Sequence, residues 1–259
     1  MKIIIITAVV SFLIFGCSKD NHNLQPNASG QPKVMYSFCQ SNPRDTLLRT
    51  EYTYSNGNLI TEARFNKEEL ISKTTFEYDS EKKPILEVSE SSTMKSIKQF
   101  IYNEKNQLIN IKYHHINYDS NGNVESESKS EAPREYKNNV LVKEWTDWGG
   151  FSTYEYRSGK VYTKTNYTKL GTKHHITTYS YSPNFLVREK KETVHGSLLY
   201  SKTYLYDNRN RLVKVQDREK IIEENKYTGN RLTEKKIYYF GIDPGYYFCN
   251  GNYIYTYTY

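Results

Sequence analysis

Residues 204–212 read Tyr-Leu-Tyr-Asp-Asn-Arg-Asn-Arg-Leu: two rings one residue apart, a run of turn formers, then an aliphatic residue. A string of this kind, with a usually aromatic first position, a Tyr two residues on, a turn and a Leu or Val, recurs along the chain. The other instances open at Tyr52-Thr53-Tyr54, Phe76-Glu77-Tyr78, Phe100-Ile101-Tyr102, Ile116-Asn117-Tyr118, Arg134-Glu135-Tyr136, Tyr154-Glu155-Tyr156, Tyr179-Ser180-Tyr181 and Asn225-Lys226-Tyr227. Tyr fills the second position in all nine, at 54, 78, 102, 118, 136, 156, 181, 206 and 227, so the units run 16 to 25 residues. That spacing is too variable for a strict solenoid coil and regular enough to define a unit.

Residues i and i+2 share one face of a strand, so each pair predicts a strand with both members on the same side. The residue between them is polar or charged in every unit except those with Ile101 and Leu205, which is the alternation of a half-buried strand. The turn segments 55–57 (SNG), 119–122 (DSNG), 157–159 (RSG) and 228–230 (TGN) supply residues that tolerate positive φ, as tight hairpins require. Looser connections follow at 66–70, 147–150 and 241–245. Each unit is therefore strand, tight turn, strand. With the flanking segments 34–40 and 253–259, the fold class is all-β, an antiparallel meander of about 18–20 strands.

Composition agrees. Tyr accounts for 26 of 259 residues, apolar residues for 37% and charged residues for 25%, with 36 basic against 29 acidic groups and a net charge of +7. With a mean hydropathy of −0.81, the chain is too polar for a membrane-spanning helical bundle and too aromatic for a disordered one.

The repeat resembles the YD (Rhs) repeat, in which Tyr-Asp precedes a Gly-Asn/Arg-Leu turn. The match is carried best by Tyr118-Asp119-Ser120-Asn121-Gly122-Asn123-Val124 and by Tyr206-Asp207 through Arg211-Leu212. It covers roughly residues 50–235. Elsewhere Ser55, Asn103, Lys137, Arg157 or Ser182 stands in place of the Asp. The chain is also similar to gut-type Bacteroidota lipoproteins of unknown function described as having a porin-like fold. The first resemblance implies carbohydrate as the ligand class. In large Rhs proteins the repeats build a shell around a toxin, and this chain is too short for that.

Residues 1–17, MKIIIITAVVSFLIFGC, have the charged start and short apolar run of a signal peptide. Ile14-Phe15-Gly16-Cys17 resembles a bacterial lipobox. The resemblance implies removal of residues 1–16, acylation of Cys17 and anchoring to outer-membrane lipid, several acyl chains making attachment effectively permanent. Ser18 resembles outer-membrane rather than inner-membrane retention, and Lys19-Asp20-Asn21 resembles a surface-export tag. The polar segment 17–33 reads as a flexible tether and 34–259 as a single β-repeat domain at the cell surface or the periplasmic face of the outer membrane.

Apart from Cys17, the cysteines are Cys39 and Cys249, near the first and last strands. An envelope location permits a disulfide between them if those strands are neighbours; the alternative is two unpaired thiols. A sheet this wide avoids free edges by closing. A round barrel of about twenty strands would be roughly 35 Å across, more than Tyr side chains can fill. Either the lumen holds water or the barrel is flattened; the expectation is a sheet closed or rolled into a flattened barrel with the aromatic ladder as core. Residues 253–259 resemble the aromatic last strand of an outer-membrane barrel. The lysines on both faces of residues 94–103 argue against a spanning one.

No catalytic constellation emerges. His114-His115 and His174-His175 are adjacent pairs, and neighbours on a strand point to opposite faces, so neither pair holds a metal as a unit. There is no His-x-Glu, Cys-x-x-Cys, phosphate-binding glycine loop or nucleophile elbow. A paired-carboxylate hydrolase acting on glycans is the enzymatic alternative to a non-catalytic protein. Neither metal nor cofactor is expected. For binding, Trp145 and Trp148 with Gly149 and Gly150, and Tyr246 and Tyr247 after Asp243-Pro244-Gly245, are candidate platforms for a sugar or an envelope protein. The alternative is that a Trp plugs the sheet end. The lipid anchor speaks against nucleic acid. The expected function is a non-catalytic binding lipoprotein. The competing reading is a scaffold or carrier holding an apolar ligand or partner protein.

Overall fold

The structure is a computed structural model and describes residues 31–39, 42–183, 185–238 and 253–259, excepting the side chains of Cys39 and 42–47. The signal peptide 1–16, Cys17, Tyr246, Tyr247 and Cys249 lie outside the described residues. Nineteen strands follow in chain order: β1 (Val34–Cys39), β2 (Asn42–Ser55), β3 (Asn58–Asn66), β4 (Glu69–Tyr78), β5 (Pro84–Ser91), β6 (Met94–Tyr102) and β7 (Leu108–Tyr118). Then come β8 (Val124–Glu131), β9 (Arg134–Lys137), β10 (Val140–Trp145), β11 (Phe151–Arg157), β12 (Lys160–Tyr167), β13 (Lys173–Tyr181) and β14 (Leu186–Thr193). The last are β15 (Leu198–Tyr206), β16 (Leu212–Asp217), β17 (Lys220–Thr228), β18 (Arg231–Ile237) and β19 (Tyr253–Thr258). There is no helix among the described residues, and every ladder is antiparallel.

Consecutive strands pair throughout, except β8 with β9. The first and last strands are neighbours as expected, with Val34 opposite Thr258 and Cys39 opposite Tyr253. The register therefore runs β8 back to β1, across to β19, and back to β9. The sheet does not close into a barrel, because β8 and β9 share no ladder. They are instead two pieces of one extended segment: Ala132 exchanges both backbone bonds with Ile111 of β7, while the Pro133 carbonyl accepts from the Trp145 N–H of β10 at 3.0 Å. Since its two ends are joined by two residues of chain, the sheet rolls round and stays open along the free edge of β8. That edge carries Glu125, Glu127, Lys129 and Glu131, charges of the kind that keep an edge strand from pairing with another chain.

Following the register from strand to strand assigns the ring pairs. Eight of the nine lie on one face. Ile116 and Tyr118 lie on the other, because Phe100 and Ser96 face Ile111 and His115, which alternate with them. The gaps from Tyr102 to Tyr118 and from Tyr118 to Tyr136 each hold a single pass of chain, whereas the other units hold two, so the Tyr118 unit turns at the opposite end. Wet and half-buried sides alternate as expected: all nine second-position Tyr are partly buried, and eight of the nine middle residues, Ile101 excepted, are exposed.

The aromatic ladder is not the dry core of a flattened barrel. Among the described residues Leu108, Ile111, Ala132 and Val215 are buried, with Pro84 and small Ser and Thr side chains such as Ser37, Thr50, Ser96 and Ser152, and no large side chain is fully buried. The reason lies across each hairpin. Glu62 faces Tyr52, Glu87 faces Phe76, Glu144 faces Arg134 and Glu189 faces Tyr179, all on the ring face. Carboxylates there need polar partners, and take them on the same face: Glu62 pairs with Arg64, Glu87 with Lys98, and Glu144 with Lys164 and Arg134, which makes the face polar rather than dry.

One device repeats in every unit. The Tyr pairs with the residue that ends its turn, and the ladder then skips one residue. Tyr206 faces Leu212 while Leu205 faces Lys214, passing over Val213. The same slip passes over Ile60, Ile85, Ile109, Glu125, Val142, Tyr162, Val187 and Thr233. A bulge breaks the ladder locally, bends the strand and adds twist, which a sheet needs in order to roll. The next unit repairs the break. The Tyr78 hydroxyl donates to the Leu59 carbonyl at 2.8 Å, Tyr102 to Pro84 at 3.0 Å and Tyr136 to Leu108 at 3.1 Å. Tyr156 donates to Leu141 at 2.8 Å, Tyr206 to Leu186 at 3.0 Å, Tyr227 to Leu212 at 3.0 Å, and Tyr259 to Leu232. The last of these shows Tyr257-Thr258-Tyr259 to be a tenth ring pair.

Candidate functional site

The turns after Tyr54, Tyr78, Tyr102, Tyr136, Tyr156, Tyr206 and Tyr227 gather at one end of the roll, here the near end. The chain enters there, with Gln31 Nε2 donating to the Gly57 carbonyl at 2.6 Å. At the far end, three successive connections share one geometry. In 146–150, 168–172 and 193–197 the first Thr N–H donates to the fifth residue's carbonyl, at 2.8, 2.9 and 2.9 Å. The fourth residue is Gly149, Gly171 or Gly196, at φ of 80°, 79° and 82°, where a side chain would be strained. The third residue stands at each tip: Trp148, Leu170 and His195.

Trp148 is 84% exposed and Leu170 86%, the most exposed large apolar side chains of the described residues. Trp148 is no plug. Trp145, three residues before, is half-buried on the outer face, where it, Phe151 and Tyr167 are register partners on β10, β11 and β12. Phe151 and Tyr167 stack at 4.5 Å, Trp145 lies 6.1 Å from Phe151, and Lys143 Nζ stands 4.0 Å from the Trp145 ring centre and 4.3 Å from that of Phe151. These faces are covered by one another and by a cation, so Trp145 braces the turn while Trp148 offers a free ring. Gly150 is required for that brace: a Cβ there would lie 2.9 Å from the Tyr167 carbonyl oxygen.

Sequence reasoning missed two carboxylate clusters on the ring face. Glu144 is 3.2 Å from Lys164 and 3.4 Å from Arg134, and accepts from the Tyr154 hydroxyl. Burial pushes the Glu144 carboxyl up, but Lys164, the Tyr154 hydroxyl and Arg134 outweigh it and leave it below the usual carboxylate value. Glu189 accepts from Tyr204 at 2.8 Å and from Tyr200, and both hydroxyls are pushed up by burial and then by that carboxylate. Glu144 and Glu189 lie on strands four places apart, roughly 19 Å along the sheet at about 4.8 Å per strand, against the roughly 5–10 Å of a glycosidase pair. The signal that could have found them is the register itself: once each bulge is counted, a charged residue falls opposite the first ring position.

The histidines divide. His114 Nε2 lies 2.8 Å from Glu127 Oε1. The His174 and His175 rings meet at 3.6 Å, contrary to the expectation that neighbours point apart, because the ladder passes from His175 to Lys173 and leaves His174 in a bulge. No three His, Cys, Asp or Glu side chains converge as metal ligands among the described residues.

No family model matches this chain, and no curated protein matches it. Among solved structures it is similar to the crystal structure of TcdB2-TccC3-TEV, at 11% identity and a TM-score of 0.30 over 78% of this chain and 13% of that one. It is also similar to a porin-like protein from Bacteroides uniformis ATCC 8492, at 13% identity and a TM-score of 0.41 over 87% of this chain and 96% of that one.

Proposed function

We propose that this chain is an outer-membrane-anchored, non-catalytic β-repeat lipoprotein that binds carbohydrate at its far end. The observation that carries the reading is Trp148, an indole 84% exposed on a turn that Gly149 makes at positive φ, with the Trp145 stack at the foot of the turn. A flat apolar ring held on a rigid sheet suits the C–H face of a sugar, and function concentrates on such scaffolded loops. The direction of the chain supports it. A tether from Cys17 would reach the roll at the near end, beside Gly57, so Trp148 would point away from the anchoring membrane. A carrier of apolar cargo is less well served, since the ring face carries Glu62, Glu87, Glu144 and Glu189.

The test is a glycan array on the full chain and on Trp148→Ala. The reading expects at least one glycan class to bind and Trp148→Ala to lose it with an unchanged β-sheet circular dichroism spectrum. An array with no binder, or binding that survives Trp148→Ala, would count against it.

A further inference from the structure

The surroundings of Trp148 narrow the ligand class, an inference that rests on the carbohydrate reading. Lys169 lies along Gly149, its Cβ 3.6 Å from where a side chain at 149 would begin, which puts this lysine beside the Trp148 tip. Lys173 is the register partner of Tyr167 and extends the Trp145–Phe151–Tyr167 row by one strand. Lys143 caps two rings of that row. None of the three has a carboxylate within 4.0 Å among the described residues, whereas Lys83, Lys95, Lys98, Lys164 and Lys226 each do. The turns 146–150, 168–172 and 193–197 contain one acid, Asp147, and the bases Lys169 and His195; Lys173, His174 and His175 follow directly on β13. The β8 edge, which runs from the far end toward the near end, carries Glu125, Glu127 and Glu131 with Lys129. A cation beside a free aromatic plane, Lys169, with a second, Lys173, where β13 begins after the same turn, attracts an anion and holds it where the ring can stack.

We infer that the far-end site takes an acidic glycan, its carboxylate or sulfate meeting Lys169 and Lys173 while a sugar face lies on Trp148. An acidic polymer also gains from multiple contacts along one rim, each lysine adding a salt-sensitive increment.

The experiment is calorimetric titration of the full-length protein in detergent with oligogalacturonate, with its neutral methyl ester as the comparison, at low and high salt. The inference expects the acid to bind at least tenfold more tightly than the ester, with the difference shrinking at high salt. Lys169→Gln with Lys173→Gln should bring the acid down to the ester's affinity and leave the ester unchanged, while Trp148→Ala weakens both. Equal binding of acid and ester, unaffected by the lysine changes, would overturn the anionic inference and leave the carbohydrate reading standing. Binding of neither by protein of intact circular dichroism would overturn the anionic inference, and the carbohydrate reading falls with it when the array also finds no binder.

Discussion

For six of the nine units, the Tyr at the second ring position is explained by one atom. The first position accepts Phe76, Phe100, Ile116, Arg134 or Asn225, but the second supplies a hydroxyl that the bulge of the preceding unit requires. Replacing Tyr206 by Phe keeps the ring and removes the donor to the Leu186 carbonyl. The expected cost is about 1 kcal/mol, read as a fall in Tm of roughly 2–4 °C for a chain of this size. Tyr118→Phe is the contrast: that ring is on the opposite face, and its loss should stay within about 0.5 kcal/mol. Identical Tyr at nine positions was legible in the sequence. The receiving carbonyl was not, since it belongs to the unit before and comes into reach only when two hairpins are laid side by side.

At the scale of the element, the turns resolve into two kinds, which explains why the Asp of the repeat is so often replaced. Where Asp or Asn follows the Tyr, its Oδ1 accepts two backbone N–H groups across a five-residue turn. Asp79 takes Glu81 and Lys83, Asn103 takes Lys105 and Gln107, Asp119 takes Asn121 and Asn123, and Asp207 takes Arg209 and Arg211. Where Ser55, Lys137 or Arg157 follows, two adjacent residues adopt positive φ and need no such acceptor: Asn56 and Gly57, Asn138 and Asn139, Ser158 and Gly159. The Asp119 carboxyl is held below its ordinary value by the Asn123 side chain and then by backbone donors, and the Asp207 carboxyl by Arg211 and then by backbone donors. A lowered folded pKa contributes stability above the ordinary carboxyl value near 3.9 and loses it as pH falls through the folded value. Melting curves taken between about pH 5 and pH 2 should therefore decline less steeply for Asp119→Asn with Asp207→Asn than for the parent. Asn103 already shows that the amide holds this turn. A parallel decline would mean the two carboxylates are not coupled to folding.

The bulges were written in the sequence as doublets after the turn, Leu59-Ile60, Leu108-Ile109, Leu141-Val142, Leu186-Val187 and Leu212-Val213. Simple alternation hid them. Period-two reasoning assumes one residue for one across a ladder, so it puts both members of each ring pair on one face correctly and misplaces what lies opposite. That is why the carboxylate row on the ring face went unread, while the strand count and the Trp148 turn did not.

For the whole molecule, the pairing of β1 with β19 is what lets an open ladder behave as a roll, since among the described residues the free edges left are those beside Ala132 and Pro133. Residues 253–259 cover β1 on one side and β18 on the other. Truncation after residue 252 should expose both as bare edges and convert a monodisperse protein into higher oligomers on size-exclusion chromatography. A truncated chain that stays monomeric would show that these edges need no cover. Charge on the β8 edge predicts the complement: replacing Glu125, Glu127 and Glu131 with Val, Thr and Val should promote association through that strand, detected by the same column.

The central claim is that each repeat pairs its Tyr with the end of its own turn and then slips by one residue. Disulfide trapping reads that register directly, in a background of Cys39→Ser and Cys249→Ser. With the slip, Thr203 faces Gln216; without it, Thr203 would face Val215. The account predicts that Thr203→Cys with Gln216→Cys closes under mild oxidation and that Thr203→Cys with Val215→Cys does not. The reverse outcome would contradict it.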